Sequence, residues 1–161
     1  MAPIERAAAD DWRRVREIRL RALEDSPTAF ASRLDQERER PEAFWRGRLE
    51  EAGSATFLAL ESDVAVGLVT VFLDDDDPGS AHLVSMWVAP DHRRRGVGRQ
   101  LIEAVLGWAR EERAGRVKLW VTETNEAAGR LYQEMGFVET GARQPLPSDP
   151  SLAEREMARP P

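Results

Sequence analysis

The sequence predicts an α/β protein: a mixed, mostly antiparallel central sheet flanked by helices. Three observations predict it. Residues 10–52 carry apolar side chains at helical spacing, residues 55–73 switch to short apolar runs, and the remainder alternates strand and helix. No linker composition interrupts the 161 residues, so 1–161 is assigned to a single domain.

Residues 10–25, DDWRRVREIRLRALED, place Trp12, Val15, Ile18, Ala22 and Leu23 on one helical face. Asp10 and Asp11 suit the positive end of the helix dipole, and Ser26-Pro27 ends the helix. PEAFWRGRLEEA, 41–52, opens with Pro at a first helical position and repeats Phe44, Trp45 and Leu49. ATFLALE (55–61) and VAVGLVTVFL (64–73), joined by Ser62-Asp63, read as a β-hairpin, and DDDDPGS (74–80) as a loop. HLVSMWVA, 82–89, is a strand stopped by Pro90. GRQLIEAVLGWAREER, 98–113, is the strongest helix, with Leu101, Ile102, Val105, Leu106 and Ala109 in one stripe. VKLWVT, 117–122, is a strand. NEAAGRLYQEMG, 125–136, is a helix with Asn125 at its start and Gly136 at its end. FVET (137–140) begins a further strand, PLPSDPS (145–151) reads as a Pro-rich loop, and EREMAR (154–159) as the last strand.

Composition excludes several chemistries. The chain has no cysteine, hence no disulfide frame, thiolate nucleophile or Cys-ligated metal. Its two histidines, His82 and His92, poorly supply a zinc site, and no metal is expected. A net charge of −6 argues against a nucleic-acid partner, which calls for a basic face. No apolar window reaches the ~18 residues of a membrane span, and the charged MAPIERAAADDW is unlike a secretory signal. The expected location is cytoplasmic, with no membrane partner.

Against that acidic balance, HRRRGVGRQL, 92–101, concentrates three arginines beside two glycines where a strand gives way to a helix. A helix start offers unpaired backbone N–H groups and a positive dipole end. Gly96 and Gly98 lack Cβ, so a diphosphate can approach the backbone, while Arg93, Arg94 and Arg95 supply charge. The Walker pattern is missing, and Leu101 stands where a dinucleotide loop needs its third glycine. On spacing alone, a solvated basic turn accounts for the stretch equally well.

VAPDHRRRGVGRQLIEAVLGWA resembles the central motif of the GNAT superfamily of acetyl-CoA-dependent N-acetyltransferases: V-x-P, then [RQ]-x-x-G-x-[GA], then an amphipathic helix. NEAAGRLYQEMGFVETG resembles its next motif, matching at Asn125, Ala128, Leu131, Tyr132, Gly136 and Phe137. The resemblance divides the domain into acceptor-side helices at about 10–52, an acetyl-CoA core at about 56–141, and a C-terminal loop and strand at 142–161. It implies that 93–98, with Val97 and Arg99, hold the pyrophosphate of acetyl-CoA. The strand of 82–89 would splay from that of 117–122. Backbone groups near Trp87 and Val88 would pair with the pantetheine arm, and Asn125 would contact it while capping its helix.

The resemblance further implies direct acetyl transfer to a primary amine in a ternary complex. Tyr132, at the family's tyrosine, would be the general acid. Several family members carry a Glu base eleven residues before the motif's first Arg, and here that position is His82. An imidazole suits the task near neutral pH, although a strand-end histidine facing solvent, or a water chain to bulk, remains as an alternative. Phe30, Trp45 and Ser85 are the candidate substrate residues, with Ser85 orienting a water as an alternative to His82. The acceptor is expected to be an amine-bearing small molecule. A protein lysine or N-terminus is the alternative, as is a non-catalytic acyl-CoA sensor. The family's habit also points to a homodimer.

Overall fold

The computed structural model of the protein describes residues 2–161. Its order is β1 (Ile4–Arg6), α1 (Trp12–Asp25), α2 (Leu34–Arg38), α3 (Glu42–Glu50), β2 (Ser54–Glu61), β3 (Val64–Leu73), β4 (Ser80–Val88), α4 (Val97–Glu111), β5 (Arg116–Thr122), α5 (Glu126–Glu134), β6 (Val138–Leu146) and β7 (Asp149–Arg159). The strands form one sheet in the order β1-β2-β3-β4-β5-β7-β6. Every neighbouring pair is antiparallel except β4 and β5. The mixed, mostly antiparallel sheet is as expected. Among the described residues, no helix is long and apolar enough to cross a membrane.

Three elements differ from the sequence reading, the first being α2, a five-residue helix at Leu34–Arg38 where no element is expected. β1 has only Ile4 as an apolar residue and is defined by its pairing, Ile4 opposite Ala59 and Arg6 opposite Phe57. The stretch 145–151 is not a loop. β6 runs through Pro145 to Leu146, a two-residue turn follows, and β7 starts at Asp149. The C-terminal region of 142–161 is therefore mostly sheet. Proline is tolerated there because β6 is the outermost strand, where a missing N–H breaks no second ladder. Irregular register at Glu139/Arg143 and Pro145/Leu146 hides the strand's period.

The sheet is covered on both faces. The apolar stripe of α4, Val97, Leu101, Ile102, Val105, Leu106 and Ala109, joins Ala81, Leu83, Val117, Leu119, Tyr132 and Phe137 in one buried cluster. On the opposite face, Val15, Ile18, Ala22 and Leu23 of α1 pack with Leu58, Leu68 and Trp87. Ser62 and Asp63, both at positive φ, close the β2–β3 hairpin in the two-residue form that matches strand twist.

A bulge in β4 then sets up the site. Leu68 pairs with Trp87 and Thr70 with Val84, so two steps on β3 answer three on β4. Ser85 takes up the extra residue at φ 59. The bulge switches faces: Ala81 and Leu83 point toward α4, whereas Trp87 points toward α1.

Candidate active site

Between β4 and β5 the registered pairs are Ser80–Arg116, Ala81–Val117 and His82–Lys118. Beyond them a narrow cleft of about 80 Å³ is lined by Val84, Ser85 and Met86 on one side and by Trp120, Val121 and Thr122 on the other. Asn125, Leu131 and Tyr132 complete it. Ala89 donates its N–H to Val66 on β3. Backbone groups alternate along a strand, so those of Trp87 also face β3 and those of Met86 and Val88 face the cleft side. The sequence expectation for Val88 suits this edge. The Trp87 backbone faces β3, and its indole packs beneath α1 and donates to Asp25 Oδ2 at 3.0 Å.

The turn after β4 ends in Gly96 at φ 82, and α4 begins at Val97 with no side-chain cap. The amides of Val97, Gly98 and Arg99 are thus the orphan donors of a helix start. A Cβ on Gly96 would meet nothing within 4 Å, so this face of the turn is open. Gly98 is different. Its Cβ would lie 2.9 Å from Leu131 Cδ2 and 3.2 Å from Met86 Cε. Its small size therefore serves the packing of α4 on α5 and β4. Gly98→Ala is accordingly expected to lower stability by about 1 kcal/mol, a Tm loss of about 2–4 °C by calorimetry. Acetyl-CoA affinity should change far less than in a Gly96 variant.

The arginines divide in the same way. Arg93 donates from Nε to the Val88 carbonyl at 2.9 Å and from Nη2 to Asp25 Oδ2 at 2.8 Å, pinning the turn to α1. Arg99 pairs with Glu134, tying α4 to α5. Arg94 and Arg95 are exposed, with no ion pair among the described residues. Asp25, which the sequence did not single out, accepts from Ser26, Trp87 and Arg93 on one oxygen. The Ser26 hydroxyl, then Trp87, and then Arg93 hold its carboxyl below the usual range.

Tyr132 is buried, with its ring edge-on to Phe137 at 5.8 Å. Among the described residues its hydroxyl has no hydrogen-bond partner, and it lines the narrow cleft. Burial pushes its phenol well above the ordinary value, so it keeps its proton. Asn125 caps α5 as expected, with Oδ1 accepting from the Ala128 N–H at 3.3 Å.

A second, larger cleft of about 530 Å³ lies on the α1–α3 face of the sheet. Arg19, Trp45 and Arg48 line its helical side, Thr56 and Thr70 its floor, and Asp74, Asp75 and Asp76 its rim. Val84 and Ser85 line both clefts, so the two meet at the β4 bulge. Trp45 and Ser85, two of the candidate substrate residues, both line this cleft. Phe30 lies instead beneath the Arg19 guanidinium, 4.8 Å from ring centre to Cζ, and is not part of this lining.

His82 is on neither cleft wall. Its Nε2 donates to Asp74 Oδ2 at 2.8 Å, and its ring stacks on Phe72 at 5.1 Å. Both partners line the larger cleft, so His82 sits behind its rim, and its Nδ1 has no hydrogen-bond partner among the described residues. His92 pairs with Glu61 at the surface. Of the four consecutive aspartates, Asp74 is committed to His82 and Asp77 to Ser80, Arg116 and Lys118.

The sequence pattern of the Acetyltransferase (GNAT) family matches residues 12–137. N-acetyltransferase 8 of Homo sapiens is 35% identical over 97 residues, covering 58% of this chain and 42% of that protein. Streptothricin acetyltransferase of Streptomyces lavendulae is 34% identical over 92 residues, covering 57% and 49%. The chain spans about half or less of the length of these relatives. In fold it is similar to the crystal structure of an acetyltransferase of GNAT family from Streptococcus pneumoniae, with a TM-score of 0.78, 99% of both chains covered and 21% identity.

Proposed function

The chain belongs to the GNAT acetyltransferase family, and from that premise we propose that it transfers the acetyl group of acetyl-CoA directly to a primary amine of a small molecule. The observation that carries this reading is the meeting of the two clefts at Val84 and Ser85. One cleft is narrow and edged by β4 backbone that faces away from β3, suited to an extended amide-bearing arm. The other is wide, acidic at its rim and of a volume typical of small-molecule sites.

The residues present fit acetyl-CoA. The open side of Gly96 and the amides of 97–99 would hold the pyrophosphate, with Arg94 and Arg95 as free cations. The Val88 and Met86 backbone would hold the pantetheine. Acetyl-CoA supplies an activated carbonyl carbon, and the chain's part is positioning and proton transfer. The amine nitrogen bonds to the acetyl carbon, the carbon–sulfur bond breaks, and the sulfur takes the proton of Tyr132, which a solvent proton then restores. The amine gives up a proton to water, and His82, behind the rim of the larger cleft, is the side chain proposed to take it from there. That side chain lies three residues from Ser85, about 10 Å along the strand, so the transfer passes through water. Asp75, Asp76 and Glu51 favour an acceptor carrying positive charge.

Isothermal titration with acetyl-CoA, followed by thiol release across a panel of polyamines, amino acids and aminoglycosides, tests the reading. Micromolar binding with turnover of a panel amine supports it, and absence of binding overturns it. His82→Ala is expected to lower kcat about tenfold to a hundredfold at neutral pH, with partial rescue by added imidazole. An unchanged kcat would leave the proton to water alone.

A further inference from the structure

Arg19 and Glu37 are both buried charged residues, and neither belongs to the motifs of the sequence. Arg19 Nε donates to Glu37 Oε1 at 3.1 Å, and its Nη1 donates to Ser85 Oγ at 2.9 Å. Arg48 adds a longer contact to the same carboxylate at 3.9 Å. Burying such a pair is expensive unless its remaining donors are used, and one of them is spent on a serine at a strained φ of 59. That serine lies where the two clefts meet.

The chemistry of the contact orients the hydroxyl. Arginine is a donor only, so it occupies a lone pair of Ser85 Oγ, and the serine hydrogen must point elsewhere. A guanidinium donating to a hydroxyl also strengthens that hydroxyl as a donor in turn. We propose that the buried Arg19–Glu37 pair is a positioning device, fixing Ser85 so that its O–H is presented to the acyl oxygen at the junction of the clefts. Glu37 holds the guanidinium, Arg19 holds the hydroxyl, and Ser85 stabilises the negative charge that grows on that oxygen as the amine attacks. The inference rests on the acetyl-transfer reading above, for this same site.

The test compares Ser85→Ala, the paired variant Arg19→Met with Glu37→Leu, and the triple variant. Replacing both ion-pair members leaves no lone buried charge. Two quantities are read: the calorimetric affinity for acetyl-CoA relative to CoA, and kcat with the fastest amine of the panel. One donor to the acyl oxygen predicts a preference for acetyl-CoA of about fivefold in the native chain. It should fall to about one in every variant. Ser85→Ala should lose about a hundredfold in kcat, the scale of one oxyanion donor, and the triple variant should be no worse. A paired variant that keeps both the preference and kcat, or losses that multiply in the triple variant, would overturn the proposal. Should the paired variant not fold, Arg19→Lys decides by the affinity ratio: loss supports the proposal and retention overturns it. Native protein that binds and turns over, with a ratio indifferent to these changes, sinks this inference alone. Native protein that binds neither CoA nor acetyl-CoA sinks the acetyl-transfer reading with it.

Discussion

Gly96→Val is expected to weaken acetyl-CoA binding at least a hundredfold, read by isothermal titration. Two effects converge there. The residue sits at φ 82, where a β-branched side chain is strained by about 1–2 kcal/mol. Its Cβ would also enter the open side of the turn, which holds no protein atom within 4 Å and is where a pyrophosphate would reach the helix amides. Each charge-assisted hydrogen bond lost is worth about 1.5–3 kcal/mol, so losing one or two accounts for a factor of a hundred. The helix itself should survive, because α4 is held by Leu101, Ile102, Val105 and Ala109 in the core. Gly96→Asn separates the two effects, since asparagine tolerates left-handed backbone. Loss of binding in Gly96→Asn with little change in Tm places the ligand on the open side. Retained binding there would move the pyrophosphate seat elsewhere.

The contrast between Gly96 and Gly98 marks how far sequence reasoning reaches. Both glycines stand out in HRRRGVGRQL, but only the backbone shows that one is open to solvent and the other is pressed against Leu131. The strong elements were legible because their signal is internal: α4 has an apolar stripe of its own, and the β2–β3 hairpin has two apolar runs about a short turn. β1 and β6 were not, because what makes them strands is a partner far away in sequence. The sequence shows neither β1 nor the five-residue α2, and it ends β6 before Pro145. The bulge at Ser85 leaves no sequence mark, since one extra residue in an apolar strand looks like the strand continuing. Arg19 did leave one. Residues 15, 18, 19 and 22 form a helical face, and an arginine within that apolar stripe must find a buried partner. In a helix carrying five arginines the signal is easily passed over, and nothing local identifies Glu37 as the answer.

Tyr132→Phe is expected to lower kcat about a hundredfold while leaving acetyl-CoA affinity and Tm close to native. Phenylalanine keeps the ring and hence the edge-on contact with Phe137, so the buried cluster has no reason to loosen. What is removed is one O–H with no partner among the described residues, in the cleft where the proposed transfer would protonate the departing thiolate. The size follows from general acid catalysis, at the low end of about 10²–10⁴ because burial raises the phenol and so weakens it as an acid. The pH dependence provides the sharper check. Burial places deprotonation of Tyr132 above its ordinary value near 10. The acid form is therefore fully present at neutral pH and is lost only as pH rises through that raised value. The native kcat profile should accordingly show no basic limb from this group between about pH 8 and 10. A basic limb in that interval that disappears in Tyr132→Phe would mean a phenol ionising far too easily for this burial. An unchanged kcat in the variant would remove Tyr132 from the proton path and leave water in the cleft to protonate the sulfur.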